Sequence, residues 1–350
     1  MTPRAARISA FLEASGWGDA TRAALTGDAS NRRYERLLRS PGANSKDGRA
    51  VLMDAPPEKG EDTRPFVRIA RHLRALGLSA PAIRAEDSAA GLLLLEDLGD
   101  DLYARVVLEG RVDETELYAA AVDALIALHD HSPPHGLRDY DPDLMAEKAA
   151  LAGQWYAGGS APQAAVSPDH PAARTLADSI TPLLHRHAAD ATVLILRDYH
   201  AENLLWLPDR EGVARVGLLD FQDALAGHPA YDLVSLLEDA RRDVPAPLQA
   251  AMLAHYIDAT GTDEDAFRRA YALLGAQRNL RILGVFARLS LHYGKPHYAD
   301  LIPRVWGHLQ HDLSHPDLAD LKHAVDRTLP PPDDERLDLL KARCATVPTP

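Results

Sequence analysis

Three oxygen-bearing side chains in a fixed order stand out in this chain. Asp198 and Asn203 lie five residues apart in "LRDYHAENLL" (196–205), and Asp220 follows in "VGLLDFQDALAG" (216–227). Phosphoryl transfer asks a protein for a carboxylate beside the attacking hydroxyl, a metal held by an amide oxygen and a second carboxylate, and little else. In that reading Asp198 is the catalytic group that orients the acceptor hydroxyl. Asn203 binds a magnesium ion and Asp220 joins that ion to the nucleotide phosphates, since hard oxygen ligands suit magnesium, which keeps waters and phosphate oxygens in its shell. An Asp-x-x-x-x-Asn alone, or an Asp ending a strand alone, means little. The ordered pair, with an apolar run before each carboxylate, carries the reading.

The surrounding elements must hold these groups. "YERLLRS", the turn-rich "PGANSKDG" and "RAVLMDA" read as an antiparallel hairpin. Residues 63–76 place Phe66, Val67, Ile69, Ala70, Leu73 and Leu76 on one helical face, and strands follow near 82–86 and 91–96. From residue 102 the periodic segments are helical: 113–129, 143–156, 172–187, 230–240, 248–259 and 263–291. The block 193–219 is the exception, with short strands around the Asp198 loop. The tail from Pro330 is partly low in complexity and is expected to pack loosely. The expected fold class is α+β, with a small N-terminal β-sheet lobe (1–97) that binds nucleotide and a larger, mainly helical C-terminal lobe (98–350) that carries catalysis and acceptor.

Composition narrows the partners. The chain has 350 residues, a formal charge of −13, and basic residues scattered in pairs, so no nucleic acid partner is expected. Its single cysteine excludes a disulfide framework within one chain and fits a cytoplasmic location. The N-terminal stretch reads as an amphipathic helix rather than a signal peptide, and no apolar run is long enough to span a bilayer, so no membrane partner is expected. A monomer acting on a small molecule is expected.

"LRDYHAENLLW" with "VGLLDFQDALAGHPAYDLVSLLED" resembles the aminoglycoside phosphotransferase and choline kinase-like superfamily, whose fold is that of the protein kinases. A closer similarity lies in "GDASNRRYERL", "VLMDAPPEKGEDTRPFVRIARHL" and "LLLLEDLGDDLY", which look like the bacterial anomeric sugar kinases acting on N-acetylmuramate and N-acetylglucosamine in cell-wall recycling. The resemblance implies a bilobal protein kinase-like fold, ATP and Mg2+ as cofactors, and an amino sugar as the substrate, phosphorylated at carbon 1. It departs from the pattern in two places. The family usually has Gly where Arg197 stands, and the strand lysine that holds nucleotide phosphates in protein kinases is absent from Val51-Leu52-Met53-Asp54.

On the nucleotide side, residues 27–33 offer a flexible glycine, backbone amides, Ser30, Asn31 and the guanidinium groups of Arg32 and Arg33, all suited to phosphate oxygens. Arg33, Arg32 or Lys59 must supply the missing cation, with Glu61, Asp62 and Arg64 as possible helix-side partners. Glu96, Asp97 and Leu98 form the expected hinge against adenine. On the acceptor side, His200, Asp223, Arg278 and Arg281 are the expected substrate-binding residues; His200 reads equally as a structural ring bonded to the loop backbone, and an arginine is structural if paired to an acidic residue and meets the lactyl carboxylate of N-acetylmuramate if open to a cleft. Trp155 and Tyr156 are expected to be core residues at a helix end rather than a sugar platform. Two alternatives stay open: another hydroxyl acceptor (an aminoglycoside, choline or another hexosamine), and a pseudokinase that binds nucleotide as a scaffold.

Overall fold

The computed structural model describes residues 2–25, 31–39, 48–160 and 166–348; Ser30 and the hairpin loop 40–47 lie outside the described residues. Contacts group the chain into two units, Met1–Leu128 with Ala201–Ala224, and His129–His200 with Leu225–Pro350.

In chain order the first unit begins with α1 (Pro3–Ala14), β1 (Thr21–Leu25), β2 (Arg33–Leu38), β3 (Arg49–Asp54), α2 (Arg64–Ala75), β4 (Ile83–Asp87), β5 (Leu92–Glu96), α3 (Tyr103–Leu108) and α4 (Glu114–His129). The strands form one antiparallel sheet in the order β1-β2-β3-β5-β4. Alternation decides its two faces. Leu37, Ala50, Leu52, Leu92 and Leu94 point to one side and pack with Ile8 and Leu12 of α1 and with Trp17. Each such leucine contributes about 1.5–3 kcal/mol through burial. The opposite face carries Tyr34, Arg36 and Val51, which line a cavity. The helix α1 is started by Pro3 and by the Thr2 hydroxyl, which accepts from the Ala5 N–H. Arg4 fastens it to the sheet by donating to Asp54 (Nε–Oδ1 2.9 Å) and to the Ala90 carbonyl (2.6 Å). In α2, Phe66, Val67, Ile69, Ala70 and Leu73 form the buried stripe that the sequence spacing predicts.

The chain continues with α5 (Pro142–Ala149), α6 (Pro171–His187), β6 (Val193–Ile195), β7 (Leu204–Trp206), β8 (Val216–Leu218), β9 (Leu225–Gly227), α7 (Ala230–Leu237), α8 (Ala246–Thr260), α9 (Glu264–Leu291), α10 (Ile302–Asp312), α11 (Ala319–Thr328) and α12 (Asp334–Ala342). The pair β7–β8 belongs to the first unit and the pair β6–β9 to the second. The second unit is built around α9, whose residues 270–280 are all buried. Trp155 (2% exposed) and Tyr156 (0%) are core residues, the Tyr156 hydroxyl donating to the Pro330 carbonyl. The tail departs from the expected loose packing. α12 buries Leu337 and Leu340, and the Ser290 hydroxyl of α9 donates to the Leu340 carbonyl (2.9 Å). Its polar composition hid an amphipathic turn that two leucines suffice to anchor. Among the described residues no helix is long and apolar enough to cross a membrane.

One buried polar knot in this unit has a measurable signature. Asn279 on α9 donates through Nδ2 to Glu238 Oε2 (2.8 Å) and Asp312 Oδ2 (3.0 Å), and all three side chains are buried. Gly275 permits the approach, since a Cβ there would stand 2.6 Å from Asp312 Oδ1. Burial pushes both carboxyls up, Glu238 to about 7, and the neighbouring Glu238 raises Asp312 further, so that Asp312 is held well above the usual carboxylate range. The folded state therefore holds a proton that the unfolded chain releases above about pH 4.3. Stability from this pair is fully present at low pH and is lost as pH rises through about 7, by at most about 1.4 kcal/mol per pH unit for one proton. Glu238→Gln, which imitates the protonated form, is expected to gain thermal stability relative to the parent as pH rises from 5 to 8. Parallel melting curves for the two proteins across that range would contradict the shared proton.

Candidate active site

In the first unit, β7 and β8 form a short antiparallel pair with Leu204 opposite Leu218. The Leu219 N–H donates to the Asn203 carbonyl (3.0 Å), so the ladder extends one step and sets Asn203 beside the residue preceding Asp220. The pair can close because position 217 is glycine: a Cβ there would meet the Leu205 Cβ at 2.9 Å. The Leu218 N–H donates to the Ser79 carbonyl (3.0 Å), anchoring the hairpin. Asp220 has φ +56°, a left-handed backbone that costs a non-glycine residue about 1 kcal/mol or more. Two neighbours hold it there. Phe221 stacks on Phe66 of α2 with ring centroids 4.8 Å apart, and Gln222 donates to Asp220 Oδ1 (2.7 Å).

A cavity of about 460 Å³ opens on these residues. Asn203, Asp220 and Asp223 line it together with Arg32, Tyr34, Arg36 and Glu96 to Gly99. The structure thus brings Asp223, expected on the acceptor side, to the wall that also holds the hinge residues. The segment 96–99, expected as the hinge, is fixed by Arg36 and Arg210, for which the sequence carried no signal. Arg36 pairs with Asp97 (Nε–Oδ2 2.8 Å) and with Asp100 (Nη2–Oδ1 2.8 Å). Arg210, in the β7–β8 connection, donates to Glu96 Oε1 (2.6 Å) and to Ser79 Oγ (2.6 Å), while Glu96 Oε2 accepts from the Ala82 N–H (3.1 Å). The Glu96 side chain therefore anchors this segment, and Leu98 lines the cavity with an apolar side chain. Arg33 is exposed on β2 and does not line this cavity, and Asn31 is exposed beside Arg32.

In the second unit, Asp198 follows the β6–β9 pair. The residue before it, Arg197, has φ +73°, the conformation that favours glycine. Asp232 of α7, fully buried, holds this backbone: Oδ2 accepts from the Leu196 N–H (2.6 Å) and Oδ1 from the Arg197 N–H (2.8 Å). The Ser235 hydroxyl donates to the Arg197 carbonyl (3.2 Å), and Arg278 donates to Ser235 Oγ (2.9 Å). Burial pushes the Asp232 carboxyl up to about 7, against the two backbone N–H groups that favour its charged form.

Around Asp198 the charges are mostly positive. Burial alone would raise its carboxyl, but the guanidinium groups, Arg281 first and then Arg197 and Arg278, hold it below the usual range. It is a carboxylate at neutral pH. Arg281, half-buried, is held by Tyr231 and Tyr140 as well as by Asp198. Arg278 is 3% exposed and serves the Ser235 strap. Burial lowers His200 to about 4, so its ring is neutral and accepts from Arg241 Nη1 at Nε2 (3.2 Å). Asp239, 1% exposed, lies in the same cluster as His200.

With this geometry in view, comparison with known proteins is decisive at the level of family. The model of the "Phosphotransferase enzyme family" matches residues 21–273. The chain belongs to the phosphotransferase enzyme family. Curated family relatives include a Caulobacter vibrioides protein named N-acetylmuramate/N-acetylglucosamine kinase, 44% identical over 93% of this chain and 97% of its own length. A Pseudomonas aeruginosa protein of the same name is 37% identical over 88% of this chain and 89% of its own. Among solved structures, a choline/ethanolamine kinase family protein from Mesorhizobium loti covers 92% of this chain and 98% of its own with TM-score 0.59 at 16% identity. An ADP-bound aminoglycoside phosphotransferase covers 83% and 92% with TM-score 0.53, also at 16% identity. At such identities these two speak for the fold, the α+β protein kinase-like fold expected from the sequence.

Proposed function

We propose that the protein transfers the γ-phosphoryl group of ATP to the anomeric (C1) hydroxyl of N-acetylmuramate or N-acetylglucosamine, giving the sugar 1-phosphate in the cytoplasm during peptidoglycan recycling. The observation that carries this reading is the 44% identity over 93% of the chain to a relative named for those two sugars. Asp198 is the catalytic residue. Held as a carboxylate by Arg281 and its neighbours, it accepts a hydrogen bond from the sugar hydroxyl and takes its proton as the bond to phosphorus forms. The anomeric hydroxyl is more acidic than an ordinary alcohol, so a carboxylate of lowered basicity suffices.

Asn203 and Asp220 fit a magnesium site: both are oxygen donors, both line the cavity, and the β7–β8 ladder sets Asn203 beside the residue that precedes Asp220. Bound there with nucleotide, magnesium would offset charge on the phosphate oxygens. Asp97 and Leu98 form the hinge wall for adenine, with Glu96 holding it in place. Ser30, Asn31 and Arg32 meet the phosphates, whereas Arg33, exposed on β2, stays outside the cavity. On the acceptor side, Arg281 is the group placed for the lactyl carboxylate, with His200 among the sugar hydroxyl contacts, Arg278 supporting the loop, and Asp223 lying nearer the nucleotide. The protein acts as a monomer.

The purified protein, incubated with ATP and magnesium, is expected to form ADP with N-acetylmuramate and N-acetylglucosamine, and not with kanamycin or choline. Turnover of kanamycin or choline alone would overturn the substrate assignment.

A further inference from the structure

The cavity of the first unit has an unbalanced charge pattern. Its wall holds the carboxylates of Asp220 and Asp223, and a nucleotide polyphosphate would bring several more negative charges against them. Asn203 and Asp220 can share a cation on one side. The other side needs a fixed positive group, and β3 cannot supply it. Cross-strand pairing sets Val51 opposite Arg36 and Met53 opposite Tyr34, so the cavity-facing positions of β3 carry no charge.

Two guanidinium groups line the cavity. Arg36 is committed to the hinge: Nη1 donates to Asp100 Oδ2 (2.9 Å), Nη2 to Asp100 Oδ1 (2.8 Å) and to Asp97 Oδ1 (3.1 Å), and Nε lies 2.8 Å from Asp97 Oδ2. Arg32 is differently placed. Its Nε donates to Glu61 Oε2 (2.8 Å), the Tyr34 hydroxyl accepts from it, and Asp223 lies within its field. Lys59 is exposed and outside the cavity lining, its carbonyl accepting from Asn31 Nδ2 (3.3 Å).

Glu61 does two things at once. Oε1 accepts from the Asn31 N–H (3.1 Å) and Oε2 from Arg32, so one carboxylate ties both the backbone entering β2 and the guanidinium to the segment before α2. Asp62 is occupied elsewhere, accepting from the Arg64 N–H at the start of α2 (2.9 Å). A planar guanidinium can meet a carboxylate through Nε while its terminal nitrogens meet a phosphate, which lysine cannot do in one fixed plane.

We infer that Arg32 is the side chain of this cavity that binds the nucleotide polyphosphate, and that Glu61 is its positioning residue, holding the guanidinium through Nε. The inference rests on the reading of the cavity as an ATP site. It gives the chain a phosphate-binding cation that enters from the start of β2 rather than from β3. Glu61 lies outside the cavity lining, and Glu61→Gln keeps an oxygen to accept from the Asn31 N–H, so that substitution acts through Arg32.

Calorimetric titration of the full-length protein with ATP, ADP and adenosine tests this. In Arg32→Ala, ATP and ADP are expected to bind about 10- to 100-fold more weakly, the range for losing a charge-assisted bond, while adenosine binds as in the parent. Arg32→Lys, keeping the charge without the fork, falls between. Glu61→Gln weakens ATP by a smaller factor, leaves adenosine unchanged, and adds no further loss in the Arg32→Ala background. Retained adenosine binding also reports that each variant is folded. ATP affinity unchanged in Arg32→Ala, or equal losses for ATP and adenosine, would overturn the inference; so would a Glu61→Gln loss that simply adds to that of Arg32→Ala. A parent protein that binds no ATP would instead overturn the assignment of the cavity.

Discussion

Asp198→Asn is expected to lower kcat by about 10²- to 10⁴-fold, the range for removing a positioned general base, and to leave nucleotide affinity within about two-fold. The substitution keeps the shape and one acceptor oxygen but removes the charge. In this chain the positive charges of Arg281, Arg197 and Arg278 overcome the burial that would protonate it. A group held this way is ready to accept a proton at neutral pH, and an amide in its place is not. Single-turnover transfer with ATP and sugar, read beside a melting curve, separates chemistry from folding. Transfer at the parental rate would remove Asp198 from the mechanism.

The second large effect is expected at Asp232, a residue with no assigned part in chemistry. Its two oxygens take the N–H groups of Leu196 and Arg197, and it has no exposure to water. Asp232→Ala leaves both N–H groups without that acceptor, at about 1–3 kcal/mol each, partly offset by no longer burying a carboxyl. We expect a net destabilisation of about 2–4 kcal/mol, read as a lowered denaturant midpoint. We also expect a loss of kcat larger than any change in ATP affinity, because Arg197, at φ +73°, relaxes and carries Asp198 with it. Glycine at position 197 tolerates that backbone, so Arg197→Gly is expected to recover part of the stability in the Asp232→Ala background. A variant with parental midpoint and parental kcat would show that the loop is held by other groups.

How much of this was legible beforehand varies by residue. The hairpin of β2 and β3, the buried stripe of α2 and the long α9 followed from alternation and 3.6-residue spacing, because burial on one face leaves that mark in the sequence. β1 left no such mark, since four of its five residues are exposed. Asp198, Asn203 and Asp220 were visible as a spaced set, but the means of holding them was not. Asp232 did have a signal: an aspartate inside "AYDLVSLL", where every other position is apolar or small, marks a buried carboxylate in need of partners. The left-handed backbone of Arg197 had none in its own residue type, and only the glycine usual at this position in the family it resembles pointed to it. The choice of Arg32 over Arg33 and Lys59 depended on which side chain faces the cavity, a matter of strand phase at the first residue of β2 that composition cannot fix. The tail misled because its prolines and charges outweigh the two leucines that dock it.

The position that the phosphoryl group takes on the sugar decides the chemistry. N-acetylglucosamine is a reducing sugar, and a phosphate on its C1 oxygen locks the ring and removes the free aldehyde. After exhaustive reaction of the full-length protein with N-acetylglucosamine, ATP and magnesium, the product is predicted to give no reducing-sugar colour and to show phosphorus coupled to the anomeric proton in its NMR spectrum. A phosphorylated product that still reduces, with phosphorus coupled to protons elsewhere on the ring, would contradict it.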